Sequence, residues 1–299
     1  MTPSPEQPLS ELARAKVNLT LRVVGRRPDG YHDLESVVAF ADCADQIDFA
    51  PDAGASLTVE GPSAAECGAV ADNLVLRGAR LLGERIAGLT TGRFVLHKRL
   101  PVAAGIGGGS ADAAAALRCL ARVNDIAFDD PRLHAVARDV GADVPVCLGS
   151  YACVMSGVGD VLAPLALPRL PCVLVNPRVG VATSDVFGAL GLKRGELKVG
   201  MPDIVRAPAW PAAGASLAGW FAVLEKQRND LEAPAISVAP VIGEVLAALG
   251  RAAGVRLARM SGSGATCFAL FDDEAAAGAA ARTIGSAHPG WWVHAGTLS

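Results

Sequence analysis

LPVAAGIGGGSADAAAA, residues 100–116, sets four glycines within five positions directly ahead of an alanine-rich helical sequence. Gly105, Gly107, Gly108 and Gly109 carry no β-carbon, so the backbone there can take positive φ, turn its N–H groups inward and approach an anion. Ser110 is placed to cap the following helix, whose unpaired first N–H groups and positive dipole end point at the same anion. The run reads as a phosphate cradle, the plainer alternative being a tight strand-to-helix turn with no ligand. It is not a P-loop, because no lysine follows the glycines, and Ser110 stands where a dinucleotide fingerprint starting at Gly105 needs its third glycine. The protein-kinase motifs H-R-D and D-F-G are also missing.

Upstream, residues 13–22 alternate strictly, Ala13, Ala15, Val17, Leu19 and Leu21 facing one way and Arg14, Lys16, Asn18, Thr20 and Arg22 the other, which predicts a half-buried strand. The turn formers Pro28, Asp29 and Gly30 then deliver Tyr31 and His32 to a second strand ending near Phe40. Short strands are expected over 46–49 and 56–59, a helix over 74–86 capped by Asp72 or Asn73, and a strand over 93–98 leading into the glycine run. Beyond the helix opened by the run, Asp130 and Pro131 start another, which Gly141 closes. That leaves Asp143 past a helix C-terminus, where a negative charge gains nothing from the dipole.

The second half changes character. A strand is expected over 172–176 and a short helix over 184–190, followed by a Gly-, Pro- and Ala-rich insertion over 193–219. Helical sequence reaches about residue 226 and resumes over 234–249. Then come a strand over 255–260, the turn SGSGAT over 261–266, a strand over 267–271, an alanine-rich helix and a last strand near Trp292. This order resembles a split β-α-β sandwich. The domain cut falls between residues 165 and 171, giving domains 1–168 and 169–299, with no internal repeat at a fixed period.

A chain of 299 residues supports about two domains. The formal net charge of −3 and pI near 6.0, with no basic run, argue against a nucleic-acid partner. Seven cysteines, none in a C-x-x-C pair, predict buried or free thiols in a reducing cytoplasm. The first residues have neither a basic n-region nor an apolar h-region, so no secretory signal is expected. The uncharged run over 207–224 is broken by Pro208, Pro211, Gly214 and Gly219, which fits an insertion better than a membrane span.

Three separated motifs, AKVNLTL near the start, PVAAGIGGGSADAA in the middle and SGSGAT near the end, resemble in order and separation the three signatures of the GHMP small-molecule kinases. The stretches AKVNLTLRVVGRRPDGYHDLESV, ADNLVLRGARLL, GADVPV and NDLE extend the similarity over nearly the whole chain. Within the family they point to a member acting on a cytidine diphosphate derivative of methylerythritol, in isoprenoid precursor synthesis. The sequence departs from the family at Ala111, where a second serine is common. The resemblance implies an α+β, two-domain GHMP kinase-like fold, with an N-terminal mixed β/α domain and a C-terminal ferredoxin-like split β-α-β domain.

The resemblance also implies roles. Pro101, Val102, Ala103, Ala104, Gly105, Ile106, Gly107, Gly108, Gly109, Ser110 and Ala111 would wrap the ATP phosphates, with Asn73, Leu74 and Lys98 on the adenine side. Mg²⁺ is expected on the phosphates, Ser110 being a candidate ligand. The catalytic pair maps onto Lys16 and Asp143, the aspartate accepting the hydroxyl proton and the lysine holding it ionised. Tyr31 and His32 would recognise the cytosine, with Phe187 closing the other side of the ring, and Asn18, Thr183, Gly262, Ser263 and Gly264 would meet the rest of the substrate. Taken alone, each residue has a plainer reading: a solvated lysine, a surface aspartate, a ring pair packed at a turn, an ordinary hairpin turn. Two other readings stay open, a GHMP-type kinase of mevalonate-like or homoserine-like alcohols and a non-catalytic nucleotide-binding module.

Overall fold

The computed structural model describes residues 9–198 and 209–299. They fall into two compact units that interleave along the chain: residues up to Ala15 with Ala44–Val102 and Gly107–Gly149 in the first, and Lys16–Cys43, Ala103–Ile106 and Ser150–Ser299 in the second.

In the first unit, strand β4 (Ser56–Glu60) runs parallel to β5 (Gly92–His97), which pairs antiparallel with the end of the long strand β3 (His32–Pro51). Helices α1 (Leu74–Arg85), α2 (Gly108–Val123), α3 (Pro131–Val140) and α4 (Val144–Gly149) pack on one another. The caps of α1 and α3 are as the sequence predicts. Asn73 Oδ1 accepts from the Val75 amide and Asp130 Oδ1 from the Arg132 amide, each worth about 1 kcal/mol of helix stability.

In the second unit, β2 (Arg22–Arg26) and β6 (Cys153–Gly157) flank the start of β3, and β7 (Val161–Pro164) closes a hairpin with β6. The C-terminal part is an antiparallel sheet in the order β11 (Trp292–Leu298), β8 (Leu170–Asn176), β10 (Cys267–Phe271), β9 (Val255–Met260). That order is the ferredoxin-like one. Alternate residues Val173 and Val175 of β8 and Cys267, Ala269 and Phe271 of β10 form a core with α8 (Val241–Gly250) and α9 (Glu274–Ala287). No helix among the described residues is long and apolar enough to cross a membrane.

Several expectations are corrected. The first strand, β1 (Leu9–Asn18), is not half-solvated: Lys16, Asn18 and Thr20 of the supposed polar face are buried. The strands expected to end near Phe40 and to restart at residue 46 are one, because Asp45, which reads as a breaker, is buried in mid-strand with its carboxylate fully used. The helix expected over 234–249 is two, α7 (Glu232–Val238) and α8, since Pro240 has no N–H to continue the first. Helix α4 and the β6–β7 hairpin were not anticipated, being too short to show a period. The insertion expected over 193–219 contains residues 199–208, which lie outside the described ones. Its start is tied to β2 by the Arg26 amide on Glu196 O and the Lys198 amide on Val24 O, and its end enters α6 (Leu217–Leu224), whose Trp220 and Phe221 are fully buried.

Candidate active site

Strand β5 delivers Lys98 into the interior of the first unit, where its Nζ donates to Asp45 Oδ2 at 2.5 Å and to Asp112 Oδ2 at 2.7 Å. All three side chains are at most 3 % exposed. Asp45 Oδ1 also accepts the amides of Arg99 and Leu100, at 2.5 and 2.8 Å. Burial opposes the charge on Lys98, but the two carboxylates outweigh it and hold its pKa above the ordinary lysine value. Burial drives the Asp112 carboxyl the other way, up to about 7, Lys98 lowering it and Asp45 adding to the rise. Asp112 Oδ1 is left buried without a hydrogen-bond partner.

Helix α2 starts against this cluster. A β-carbon on Gly108 would lie 3.2 Å from Lys98 Nζ, and one on Gly109 3.8 Å from Leu74 Cδ1, so Asn73, Leu74, Lys98 and the first turn of α2 come together. The glycines divide by role. Gly105 and Gly107 have φ of 71° and 65°, whereas Gly108 and Gly109 are helical, so the expected positive φ holds for only two of the four. Gly107 is the N-cap, and Ser110 is the third helical residue and caps nothing, which corrects the capping role expected of it.

The middle of the run, 103–106, belongs with the second unit. There the Lys16 amide donates to Ile106 O, the Thr266 amide to Ala104 O, and the Ser261 hydroxyl to Gly105 O. A β-carbon on Gly105 would sit 2.4 Å from Gly264 O, so residues 262–264 leave no room for any side chain at that position. The SGSGAT turn is itself held by amides and hydroxyls. Asn229 Nδ2 donates to both Met260 O and Gly262 O, Asn176 Nδ2 donates to Thr266 Oγ1, and Ser261 Oγ accepts the Asn18 amide.

Lys16, on β1, is only 4 % exposed. Burial pushes the Cys153 thiol up to about 11, the Lys16 charge pulling the other way, which places that ammonium in Cys153's surroundings. Asp143, in the first unit, lies just past the end of α3, whose C-cap is Gly141, as expected. It also directly precedes α4, its carbonyl accepting the Cys147 amide, so the start of that short helix supplies a favourable dipole that the sequence reading did not include.

Also in the second unit, His32 and Phe187 stack directly on each other, ring centroids 4.3 Å apart and planes at 22°. A base does not fit between two rings in contact, which corrects the expectation of a clamp closing over it from both of these. The pair forms a platform, and Tyr31, beside His32 in sequence, is exposed. Burial, with the nearby Arg26, lowers the His32 pKa and keeps the ring neutral, and its buried Nε2 has no partner. Thr183 Oγ1, at the start of α5 (Thr183–Leu190), meets Ser263 Oγ at 2.9 Å. The Asn18 amide group gives Nδ2 to Ser36 Oγ and leaves Oδ1 buried and unpartnered.

Comparison with known proteins decides the family. The N-terminal domain of GHMP kinases matches residues 73–157 and their C-terminal domain residues 213–289. A 4-diphosphocytidyl-2-C-methyl-D-erythritol kinase of Rhodopseudomonas palustris is 68 % identical over 299 residues, the full length of both chains. One of Nitrobacter hamburgensis is 68 % identical over 97 % of this chain and 96 % of its own. A crystal structure of a 4-(cytidine 5'-diphospho)-2C-methyl-D-erythritol kinase superposes with a TM-score of 0.74 at 35 % identity, covering 97 % of this chain and 99 % of that one. The chain belongs to the GHMP kinases, in the 4-diphosphocytidyl-2-C-methyl-D-erythritol kinase group. A homoserine kinase from Cytophaga hutchinsonii, with a TM-score of 0.70 and 18 % identity over 100 % of this chain and 97 % of that one, shares the fold.

Sequence reasoning about this GHMP kinase missed the residues that support its motifs. Asp45 carried no signal beyond being an acid in apolar surroundings, and Asp112, though inside the PVAAGIGGGSADAA motif, was given no role of its own. Asn229 lies in the NDLE stretch that matches the family, which could have singled it out, but its partners are 31 and 33 residues away.

Proposed function

We propose that this GHMP kinase transfers the γ-phosphoryl group of ATP to the 2-hydroxyl of 4-diphosphocytidyl-2-C-methyl-D-erythritol, in the cytoplasm. The observation that carries the substrate is the 68 % identity, over the full length of both chains, with a relative of that name. The stacked pair of a neutral His32 and Phe187 supports it, since a ring face there offers a base a stacking partner. Seven cysteines without a disulfide support the compartment. The matched family segments fall one on each side of 168/169, which supports residues 1–168 and 169–299 as the N- and C-terminal GHMP domains.

Phosphoryl transfer asks for a held triphosphate, neutralised charge and an aligned hydroxyl. In this reading the backbone of 101–111 holds the phosphates, with Asn73, Leu74 and Lys98 on the adenine side. Asp143 accepts the hydroxyl proton and Lys16 keeps that carboxylate ionised and stabilises developing charge. Asn18, Tyr31, Thr183, Gly262, Ser263 and Gly264 complete the alcohol's site. Among the described residues no three His, Cys, Asp or Glu side chains form a metal cage, and Mg²⁺ is commonly held by few protein oxygens plus substrate phosphates. The Ser110 hydroxyl in the first turn of α2 fits as its protein ligand. When bound, Mg²⁺ neutralises phosphate charge.

The test follows ADP release with ATP and Mg²⁺ against the cytidine diphosphate substrate, its uridine analogue, free methylerythritol phosphate, mevalonate and homoserine. The expected result is turnover of the cytidine compound far above the rest, because a uridine swaps donor for acceptor and leaves protein groups unpaired. Equal efficiency on the first three would mean that no base is read, and preference for mevalonate or homoserine would overturn the substrate.

A further inference from the structure

Of the buried cluster beside α2, Lys98 and Asp112 fall in or next to the stretches already discussed, but Asp45 belongs to no motif of the sequence and the mechanism assigns it no step. We propose that Asp45 is a positioning residue for the phosphate loop, holding it at both ends from strand β3. At the first end, Oδ1 accepts the amides of Arg99 and Leu100, where the chain leaves β5 just ahead of Pro101. At the second, Oδ2 accepts from Lys98 Nζ, which also donates to Asp112 of α2 and lies against Gly108. One carboxylate thus fixes where the loop starts and, through one ammonium, where the helix begins. Asp45 is fully buried, so it acts through these groups and touches no ligand itself.

The reason for a carboxylate is the number and charge of its bonds. Two amides and an ammonium on one group are charge-assisted bonds that neither an amide nor a hydroxyl can reproduce. A cradle of N–H groups stabilises a triphosphate only if those groups are already aimed, since a displacement of about 1 Å costs as much as about 100-fold. In Asp45→Asn, Oδ1 still accepts the Arg99 and Leu100 amides, but the NH₂ faces an ammonium that has no acceptor to offer. In Asp45→Ala both ends are lost while Lys98 keeps its pairing with Asp112, so the buried charges remain balanced.

The inference rests on the reading of 101–111 as the ATP phosphate loop, and the experiment separates the two. Calorimetric ATP affinity and steady-state constants are measured for wild type, Gly108→Val, Asp45→Asn and Asp45→Ala, with amide hydrogen exchange of 99–109 in the wild type. The expected result is a KM for ATP raised several-fold in Asp45→Asn and tenfold or more in Asp45→Ala. The kcat at saturating ATP and the KM for the alcohol should stay within about twofold. A merely structural aspartate would lower the folded fraction and leave the KM of the folded molecules unmoved. ATP affinity lost in Gly108→Val but unchanged in folded Asp45→Ala would overturn the inference alone. Unchanged affinity in Gly108→Val would overturn the loop itself. Should Asp45→Ala fail to fold, Asp45→Asn decides by the same split. Arg99 and Leu100 amides exchanging as fast as exposed ones in the wild type would also overturn the proposal, whatever the variants do.

Discussion

The glycine run and the SGSGAT turn are both close-packed, small-residue segments, yet they are supported by opposite chemistry. The ends of the run rest on a buried ammonium between two carboxylates, Lys98 with Asp45 and Asp112. The turn rests on neutral groups, Asn229, Asn176 and the Ser261 hydroxyl. An ionic support is strong in low dielectric but responds to protons and costs desolvation, whereas an amide network is weaker per bond and indifferent to pH. The difference suits the two loads in the proposed reaction, a highly charged triphosphate on the run and an alcohol bearing a base on the side of the turn.

The largest effect is expected at the proposed reacting pair, apart from either support. Asp143→Asn and Lys16→Met should lower kcat by about 10²–10⁴-fold while ATP affinity by calorimetry changes little. An affinity loss as large as the kcat loss would erase the division between residues that react and residues that hold. Next in size is the base platform. Phe187→Ala removes a stacking face worth about 1–3 kcal/mol per base in comparable sites, so KM for the cytidine substrate should rise about 5- to 150-fold with KM for ATP unmoved. A matching rise in KM for ATP would show that the charged and neutral ends are not independent.

The smallest effect tests the comparison most directly. Asp112 titrates near 7 in the folded protein against about 3.9 in an unfolded chain, so the native state binds more protons between those values. Stability therefore falls as pH rises from about 4 to about 7 and is flat above. Asp112→Asn keeps an acceptor for Lys98 and removes that titration, so its melting temperature relative to wild type should be higher at pH 8 than at pH 5. Asn229→Ala, which leaves the carbonyls of Met260 and Gly262 short of a donor, should cost about 1–3 kcal/mol equally at both pH values. Parallel melts of the two variants at both pH values measure this, and a pH-independent Asp112→Asn difference would remove the contrast.

How much of this could be read beforehand depended on the range over which each signal acts. Alternation over 13–22 placed a strand, though β1 ends at Asn18 and β2 begins at Arg22. Asn73 and Asp130 placed two helix starts, and the order of strands after residue 170 gave the ferredoxin-like sheet, because periodicity and capping are local. The continuity of β3 escaped for the opposite reason: Asp45 breaks the pattern unless one knows that Lys98, 53 residues on, is there to pair with it. Ser110 looked like a cap because serine before alanines usually is one, but left-handed Gly107 had already turned the chain into the helix. In the site, the motifs were legible and their foundations were not, since the roles of Asp45, Asp112 and Asn229 are set by their partners, and partners are known only once the chain has folded.

The buried sulfurs carry a practical consequence. Cys119, Cys147, Cys153, Cys172 and Cys267 are all buried, and burial raises the thiols of four of them, Cys119 up to about 12 and Cys153 up to about 11. Only a thiolate attacks an alkylating reagent at a useful rate, so in the native protein those four are chemically silent at neutral pH, and burial shields Cys147 from the reagent as well. They lie in both compact units, Cys119 and Cys147 in the first and the other three in the second. Each unit thus comes with its own internal stopwatch: pulse alkylation followed by peptide mass analysis would time the opening of one against the other, with no label or substitution introduced.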